Sequence, residues 1–328
     1  MRLLVLGGTV FLSQAVAVEA VARGHEVTCA ARGRSGGVPA GAAHLVLDRE
    51  DPDWSVLGDQ AWDAVVDVAR TPSWVTGALD ALVERVPHWT FVSTISVYAD
   101  HSVLAGTPAT LELLDPLPED VPQDSPEEYG GNKVACEQAV QSRAQEALVV
   151  RPGLIIGPGD PSGRFTYWPE RLAEGGDVLA PESPDRDTQA IDVRDLAAWI
   201  VTCSEERRTG TYDATGPVAR LGDLVDQVAA AVGGEATLVW APADFLTERG
   251  VNYWAGPRSL PLWLPEDHRG MTSHDVSDAQ AAGLTVRPVG ETATDTLAWV
   301  RSTENPPRTG LSRAEEQDLL DDWHSLQD

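Results

Sequence analysis

Residues 1–31 read MRLLVLGGTVFLSQAVAVEAVARGHEVTCAA, and the order of residue types in this stretch decides the fold. Arg2 to Leu6 is an apolar run of strand length, closed by Gly7-Gly8-Thr9. From Phe11 to Arg23 the apolar residues recur at helical spacing, and Gly24 stands where a helix often needs a left-handed residue to end. His25 to Ala31 is a second strand. Strand, glycine turn, helix and strand make the opening of a dinucleotide-binding unit. The glycines allow a tight turn, and the helix start offers free amides to a pyrophosphate. Counting from Gly7, the second and third glycine positions hold Val10 and Ser13. Ser13 is small enough for close packing of helix on strand, whereas Val10 places a branched side chain near the expected phosphate path.

Outward from this start the alternation continues. Strands are expected at 2–6, 26–31, 44–48, 63–68, 89–94 and 147–151, and helices at 12–23, 73–86 and 127–145. That order implies an α/β protein, a Rossmann-type doubly wound parallel sheet with right-handed crossovers. After Gly157 the pattern changes to the turn-rich Gly-Pro-Gly-Asp-Pro-Ser-Gly163, followed by a tryptophan-bearing segment. The expected division is therefore 1–156 as the NAD(P)-binding domain, with 186–205 returning to it. Residues 157–185 and 206–328 form a smaller substrate lobe with an acidic amphipathic C-terminal helix over 311–323. The Pro-, Asp- and Leu-rich stretch 101–125 is expected as a loop over the mouth of the site.

The chain carries a single lysine among 24 cationic side chains, and it stands four places after a tyrosine in Tyr129-Gly-Gly-Asn-Lys133. Residues i and i+4 share a helix face, so the ammonium lies beside the phenol. A free tyrosine, with a pKa near ~10, is a poor proton shuttle at neutral pH. A fixed cation stabilises the phenolate and suits the tyrosine to general acid–base work. Arginine would supply charge without a compact ammonium able to hold a ribose hydroxyl as well.

The length of 328 residues allows one large domain or two lobes. Cys29, Cys136 and Cys203 have no Cys-x-x-Cys spacing and suggest reduced, structural thiols. No charged and apolar leader precedes the first strand, and no apolar run reaches membrane-spanning length, so the expected location is the cytoplasm. A net charge of −27 disfavours a nucleic-acid partner, which needs a basic face. Seven histidines are scattered without ligand spacing, so no metal is expected, and no Gly-x-Ser-x-Gly elbow supports an esterase.

Further segments complete a family pattern: Leu47-Asp-Arg49, Asp63-Ala-Val-Val-Asp-Val-Ala69, Phe91-Val-Ser-Thr-Ile-Ser-Val-Tyr98, Arg151-Pro-Gly-Leu-Ile-Ile-Gly-Pro158 and Ile191-Asp-Val-Arg-Asp-Leu-Ala197. With Gly7 to Ser13 and Tyr129 to Lys133, their order and spacing resemble the extended and atypical branches of the short-chain dehydrogenase/reductase superfamily, the NAD-dependent epimerase/dehydratase-like group. The resemblance covers most of the chain. It implies Thr94, Tyr129 and Lys133 as the catalytic set, with Thr94 and Tyr129 polarising a substrate oxygen and Ser96 assisting at the substrate.

The same resemblance assigns the cofactor wall. Gly7, Thr9, Val10, Phe11 and Leu12 would follow the phosphates, and Asp48 and Arg49 would border the adenine. Val68, Ala69 and Arg70 would line the route to the ribose held by Tyr129 and Lys133, and Pro152 and Leu154 would flank the nicotinamide. After the second strand the chain reads Ala30-Ala-Arg-Gly-Arg34, without the carboxylate usual for a ribose 2′-hydroxyl. Arg32 and Arg34 either clamp a 2′-phosphate or are surface residues; the first reading favours NADP, with NAD as the alternative. Arg164 and Trp168 either face the substrate or belong to the core of the lobe.

Three functions remain. Leading is an NADP-dependent oxidoreductase acting on a carbonyl or alcohol of a small, fairly apolar substrate, as a monomer or homodimer. Next is a nucleotide-sugar epimerase with tightly bound NAD. A third is a non-catalytic binder, like the chloroplast stem-loop RNA-binding relatives that share a Gly-Gly-Thr-x-Phe opening. Similar dehydratases carry Asp-Glu after the threonine, where Ile95 and Ser96 stand here. Nucleotide-sugar enzymes often have Asn and Tyr at the places of Leu154 and Ile156.

Overall fold

A computed structural model describes residues 1–117 and 125–327. The chain begins with β1 (Arg2–Leu6), α1 (Phe11–Ala22), β2 (Glu26–Ala31), β3 (Ala43–Val46) and β4 (Ala64–Asp67). Then come α2 (Pro72–Leu82), β5 (His88–Val92), α3 (Pro126–Arg143), β6 (Glu146–Pro152) and β7 (Ile155–Ile156). These lead to α4 (Tyr167–Glu174), β8 (Gly176–Pro181), β9 (Asp187–Thr188), β10 (Ile191–Asp192), α5 (Val193–Glu205) and β11 (Gly210–Ala214). The C-terminal third adds β12 (Ala219–Arg220), α6 (Leu221–Val232), β13 (Ala236–Ala241) and further helices, among them Val289–Ser302 and Arg313–Ser325.

The chain divides into two compact units. Unit 1 holds residues 1–153, 193–215 and 274–285; unit 2 holds 154–192, 216–273 and 286–328. In unit 1 seven strands form one sheet in the order β11-β6-β5-β4-β1-β2-β3. Every neighbouring pair is parallel, with Leu4, for example, opposite Thr28 of β2 and Val65 of β4. Strands covered on both faces read as continuous apolar runs, and β1 and most of β4 do so, while β5 is fully buried with His88 and Thr90 among its residues. Strand order reverses between β1 and β4, and the crevice at their C-terminal ends is the place where such sheets bind ligands.

The sequence reading put the division after Ile156 and brought back 186–205. In the structure β7, β9 and β10 pair within unit 2, and unit 1 regains the chain at Val193 and keeps it through β11. β11 extends the sheet by pairing with β6, which places 206–215 in unit 1. Residues 118–124 of the loop expected over the mouth lie outside the described residues. The part before them is pinned: the Ala99 amide donates to the Glu112 carbonyl at 2.9 Å, and the Leu114 amide to that of Val97 at 2.8 Å.

Unit 2 has its own core, in which Phe165, Trp168, Leu172, Val178, Leu221 and Val225 are completely or almost completely buried. Its C-terminal helix runs Arg313–Ser325, two residues later than the pattern suggested, because Ser312 and Glu315 form a reciprocal cap. None of the described helices is long and apolar enough to cross a membrane.

Candidate active site

The crevice at the strand-order reversal is a cavity of about 580 Å³, within the size range of small-molecule sites. Gly7 and Thr9 after β1, Arg32 to Ser35 after β2, Leu47 and Arg49 after β3, and Val68 to Thr71 after β4 line it, with Trp74 from α2. The glycine turn is built for close approach. Gly8 has φ +95°, and a Cβ there would overlap the buried Cys29 side chain. A Cβ on Gly7 would lie 3.3 Å from Ser13, so the small residue at the third fingerprint position does the packing expected of it. Phe11, the first residue of α1, takes φ +42°, a strained value for a non-glycine residue and of a kind that clusters at functional sites.

Eight of the residues assigned to the cofactor wall therefore share this cavity: Gly7, Thr9, Arg32, Arg34, Arg49, Val68, Ala69 and Arg70. Val10, Phe11 and Leu12 do not line it; Val10 is exposed and Leu12 is on the buried face of α1. Asp48 is not in the wall, and its carboxylate accepts the Glu50 amide at 3.1 Å. Arg49 faces the cavity, but its guanidinium is committed elsewhere: it donates to both Asp67 oxygens at 2.6 and 3.0 Å, and to the Trp74 carbonyl. Asp67 is wholly buried, and it also accepts the Ala69 amide at 3.0 Å. The pair thus braces the Val68–Thr71 turn.

The expected absence of a competing carboxylate near Arg32 needs correction. Glu50 reaches across from the end of β3, and its Oε1 accepts from Arg32 Nη1 at 3.1 Å. Arg34 has no carboxylate partner among the described residues.

α3 carries the tyrosine and lysine. Ser125 and Glu128 cap it reciprocally and Pro126 starts it, which offsets the helix-weakening glycines at 130 and 131. Those glycines have a steric purpose. A Cβ on Gly130 would overlap the Ser96 carbonyl, and one on Gly131 would meet the Leu117 side chain and the Asp115 carbonyl. The helix can therefore press its backbone onto the turn that carries Thr94. Thr94 ends the extension of β5, and its Oγ1 accepts the Ser96 amide at 3.1 Å and meets the Ser96 hydroxyl at 3.2 Å. The Ser93 hydroxyl beside it is buried without a hydrogen-bond partner among the described residues.

Lys133 is 2% exposed, and among the described residues no carboxylate pairs with it; its ammonium donates to the carbonyls of Ala69 at 2.8 Å and Val92 at 2.6 Å. Ala69 is also in the cavity wall, so the ammonium is bonded to a wall residue, although Lys133 itself does not line the cavity. Burial pulls the lysine pKa down to about 8. One turn further along, Glu137 accepts two bonds from Arg151 at 2.9 and 2.6 Å. Arg151 also donates to the Tyr98 hydroxyl, which bonds Asp213, whose other oxygen meets His274 at 2.9 Å. This buried chain ties α3 to β6 and β11. Of its members only Arg151 and Tyr98 fell within motifs read from the sequence, and neither had a stated role. The glutamate four residues past Lys133 was the available signal for it.

The remaining assigned residues lie apart from the cavity wall. Pro152 ends β6 in unit 1. In unit 2, Leu154 and Trp168 are core residues, and the Trp168 indole donates to the Pro261 carbonyl at 3.1 Å. Trp168 has no exposed surface with which to meet a substrate, which settles the choice left open for it in favour of the core. Arg164 bonds the Ser162 hydroxyl at 3.0 Å and lies over the Trp254 ring. Among the described residues no cluster of His, Cys, Asp or Glu could hold a metal ion.

Similarity to known proteins agrees with this arrangement. The chain is 26% identical over 213 residues to the chloroplast stem-loop binding protein of 41 kDa b of Arabidopsis thaliana, covering 60% of this chain. The match spans 53% of that protein, about half its length. The fold is shared with UDP-N-acetylglucosamine 4-epimerase from Bacillus cereus (TM-score 0.67, 18% identity, 94% of this chain and 99% of that one). It is shared as closely with UDP-glucose 4-epimerase from Thermotoga maritima, solved with UDP-glucose (TM-score 0.67, 16% identity, 93% and 100%). Residues 3–214, the stretch holding the glycine turn, Thr94, Tyr129 and Lys133, match the model of the NAD dependent epimerase/dehydratase family, and the chain belongs to that family.

Proposed function

We propose that this chain is a nicotinamide-dependent epimerase-type oxidoreductase that oxidises a carbinol carbon of a small substrate and reduces it again on the same cofactor. The observation that carries the proposal is Lys133: a buried ammonium, held by two main-chain carbonyls, one of them that of the wall residue Ala69, and one turn from Tyr129. A dinucleotide fits the wall, since the glycine turn has no room for side chains and the Arg32 to Ser35 segment offers donors at the far end. When bound, it would supply the hydride acceptor and donor. Gly7 and Thr9 would hold its phosphates, and Val68 to Arg70 would line its path. Two of the three ammonium donors of Lys133 are taken by Ala69 and Val92, leaving one for a ribose hydroxyl. Tyr129 would remove and return the hydroxyl proton of the substrate at its phenolic oxygen, with Thr94 Oγ1 bonding the substrate oxygen.

The sequence alone ranked net reduction by NADP first. Leu154 and Ile156, at the places where nucleotide-sugar enzymes often have Asn and Tyr, are both packed in the core of unit 2, so their apolar character is accounted for by folding. Family membership supports the epimerase reading instead, and the substrates named for similar structures make nucleotide sugars the first class to test. Net reduction stays the second reading, favoured by Arg32 and Arg34 in the wall. A stem-loop RNA role is opposed by the charge of −27 and by the complete Thr94, Tyr129 and Lys133 set.

The test is to supply the purified protein with NAD or NADP and UDP-sugars, and separately with NADH or NADPH and a panel of ketones, following reduced-nicotinamide absorbance and sugar products. The proposal expects interconversion of epimers without net change in absorbance. Stoichiometric oxidation of NADPH with a ketone would replace it by the second reading.

A further inference from the structure

Glu50 is the carboxylate closest in role to the acidic residue that the end of β2 lacks, but it comes from a different strand. The chain leaves β3 through Leu47, Asp48 and Arg49, and two of these residues fix where Glu50 stands. Arg49 is locked inward on Asp67, and the Asp48 carboxylate accepts the Glu50 amide at 3.1 Å. The Glu50 side chain then turns toward the β2 end and takes Arg32 Nη1 at 3.1 Å. Arg32 lines the cavity beside Gly33, Arg34 and Ser35, where the adenine ribose of a dinucleotide belongs in a fold of this kind. Two cations there would favour a 2′-phosphate; a carboxylate bonded to one of them cancels about half of that attraction and repels the phosphate directly.

We infer that Glu50 is a specificity-determining residue which, through its ion pair with Arg32, holds the cofactor site back from preferring NADP and keeps NAD acceptable. This rests on the proposed dinucleotide site. The carboxylate can accept from a ribose 2′-hydroxyl or from Arg32, so NAD binds with the pair intact. A 2′-phosphate must instead draw Arg32 away and share it with Glu50. Both side chains are well exposed, 38% for Arg32 and 65% for Glu50, so solvent screens the effect to a modest size. Arg34, which has no carboxylate partner among the described residues, is the reason a phosphate is tolerated at all.

The experiment is calorimetric titration of the whole protein at low salt with NADH and NADPH, and with ADP and 2′,5′-ADP as probes of the adenine end alone. Glu50→Gln is expected to tighten NADPH and 2′,5′-ADP about fivefold, leaving NADH and ADP within about twofold, and raising salt should shrink the change. Glu50→Asp, which keeps the charge, should stay near the unaltered ratio. Arg32→Ala should weaken NADPH both in the otherwise unaltered protein and when combined with Glu50→Gln, and by more in the combination. If both cofactors bind and Glu50→Gln leaves their ratio unchanged, the role of Glu50 is overturned while the dinucleotide site stands. If none of the four probes binds, the cofactor reading itself fails.

Discussion

Two buried cations on neighbouring elements of unit 1 are handled in opposite ways. Arg151, 4% exposed on β6, meets the Glu137 carboxylate in a two-pronged bond and the Tyr98 hydroxyl besides. Lys133, 2% exposed and one turn before that same glutamate, is held by the carbonyls of Ala69 and Val92. Burial opposes both charges. For Arg151 the carboxylate outweighs burial and its pKa is raised; for Lys133 burial prevails and its pKa falls to about 8. A cation locked by a full counter-charge is part of the frame. A cation held by dipoles keeps an exchangeable proton and a donor to spare, as a working group at neutral pH must.

The sharpest way to break this contrast is at the working end. Tyr129→Phe should lower turnover by about 10²-fold or more with dinucleotide binding nearly unchanged, since under the proposed function it removes only the acid–base group. More than about a tenth of the original activity would remove Tyr129 from that role. Next comes the frame: Glu137→Gln leaves Arg151 buried without its counter-charge and should cost about 3–5 kcal/mol of unfolding free energy in denaturant titration. A loss under about 1 kcal/mol would show that Tyr98 and water suffice for Arg151.

The contrast also has a pH signature. The lysine pKa falls from the ordinary 10.5 to about 8, so between those values the folded chain holds fewer protons at Lys133 than the unfolded chain. The contribution of Lys133 to stability therefore rises with pH across that window. Activity that needs the ammonium should instead fall, with an apparent midpoint near pH 8 as Lys133 loses its proton. A rate flat to about pH 10 would contradict the assignment. Smaller still is Gly130→Ala: a methyl against the Ser96 carbonyl should push α3 off the Thr94 turn, costing about 1–3 kcal/mol and a several-fold loss of rate.

How much of this was legible follows from where each signal resides. β1, α1 and β2 are local patterns, and their observed bounds fall within a residue of those read from the sequence. That Tyr129 and Lys133 share one helix was legible because a spacing of four puts two residues on the same helix face. β11, Gly-Thr-Tyr-Asp-Ala, lacks the apolar run that marks a strand, and it exists because β6 offers an open edge. The Arg49–Asp67 and Arg32–Glu50 pairs join residues 18 apart, across strands whose order in the sheet no local pattern reveals. Trp168 reads the same whether its helix faces a ligand or the core, and only the packing of unit 2 decides.

The most direct measurement replaces Lys133 with methionine and reads stability, dinucleotide binding and turnover on the same preparation. If Lys133 is the working cation, the protein stays folded, because an apolar chain of similar length relieves the desolvation that lowers its pKa, while turnover drops by at least about 10²-fold. Retained turnover with a stability loss like that of Glu137→Gln would make Lys133 a second structural cation and contradict the account.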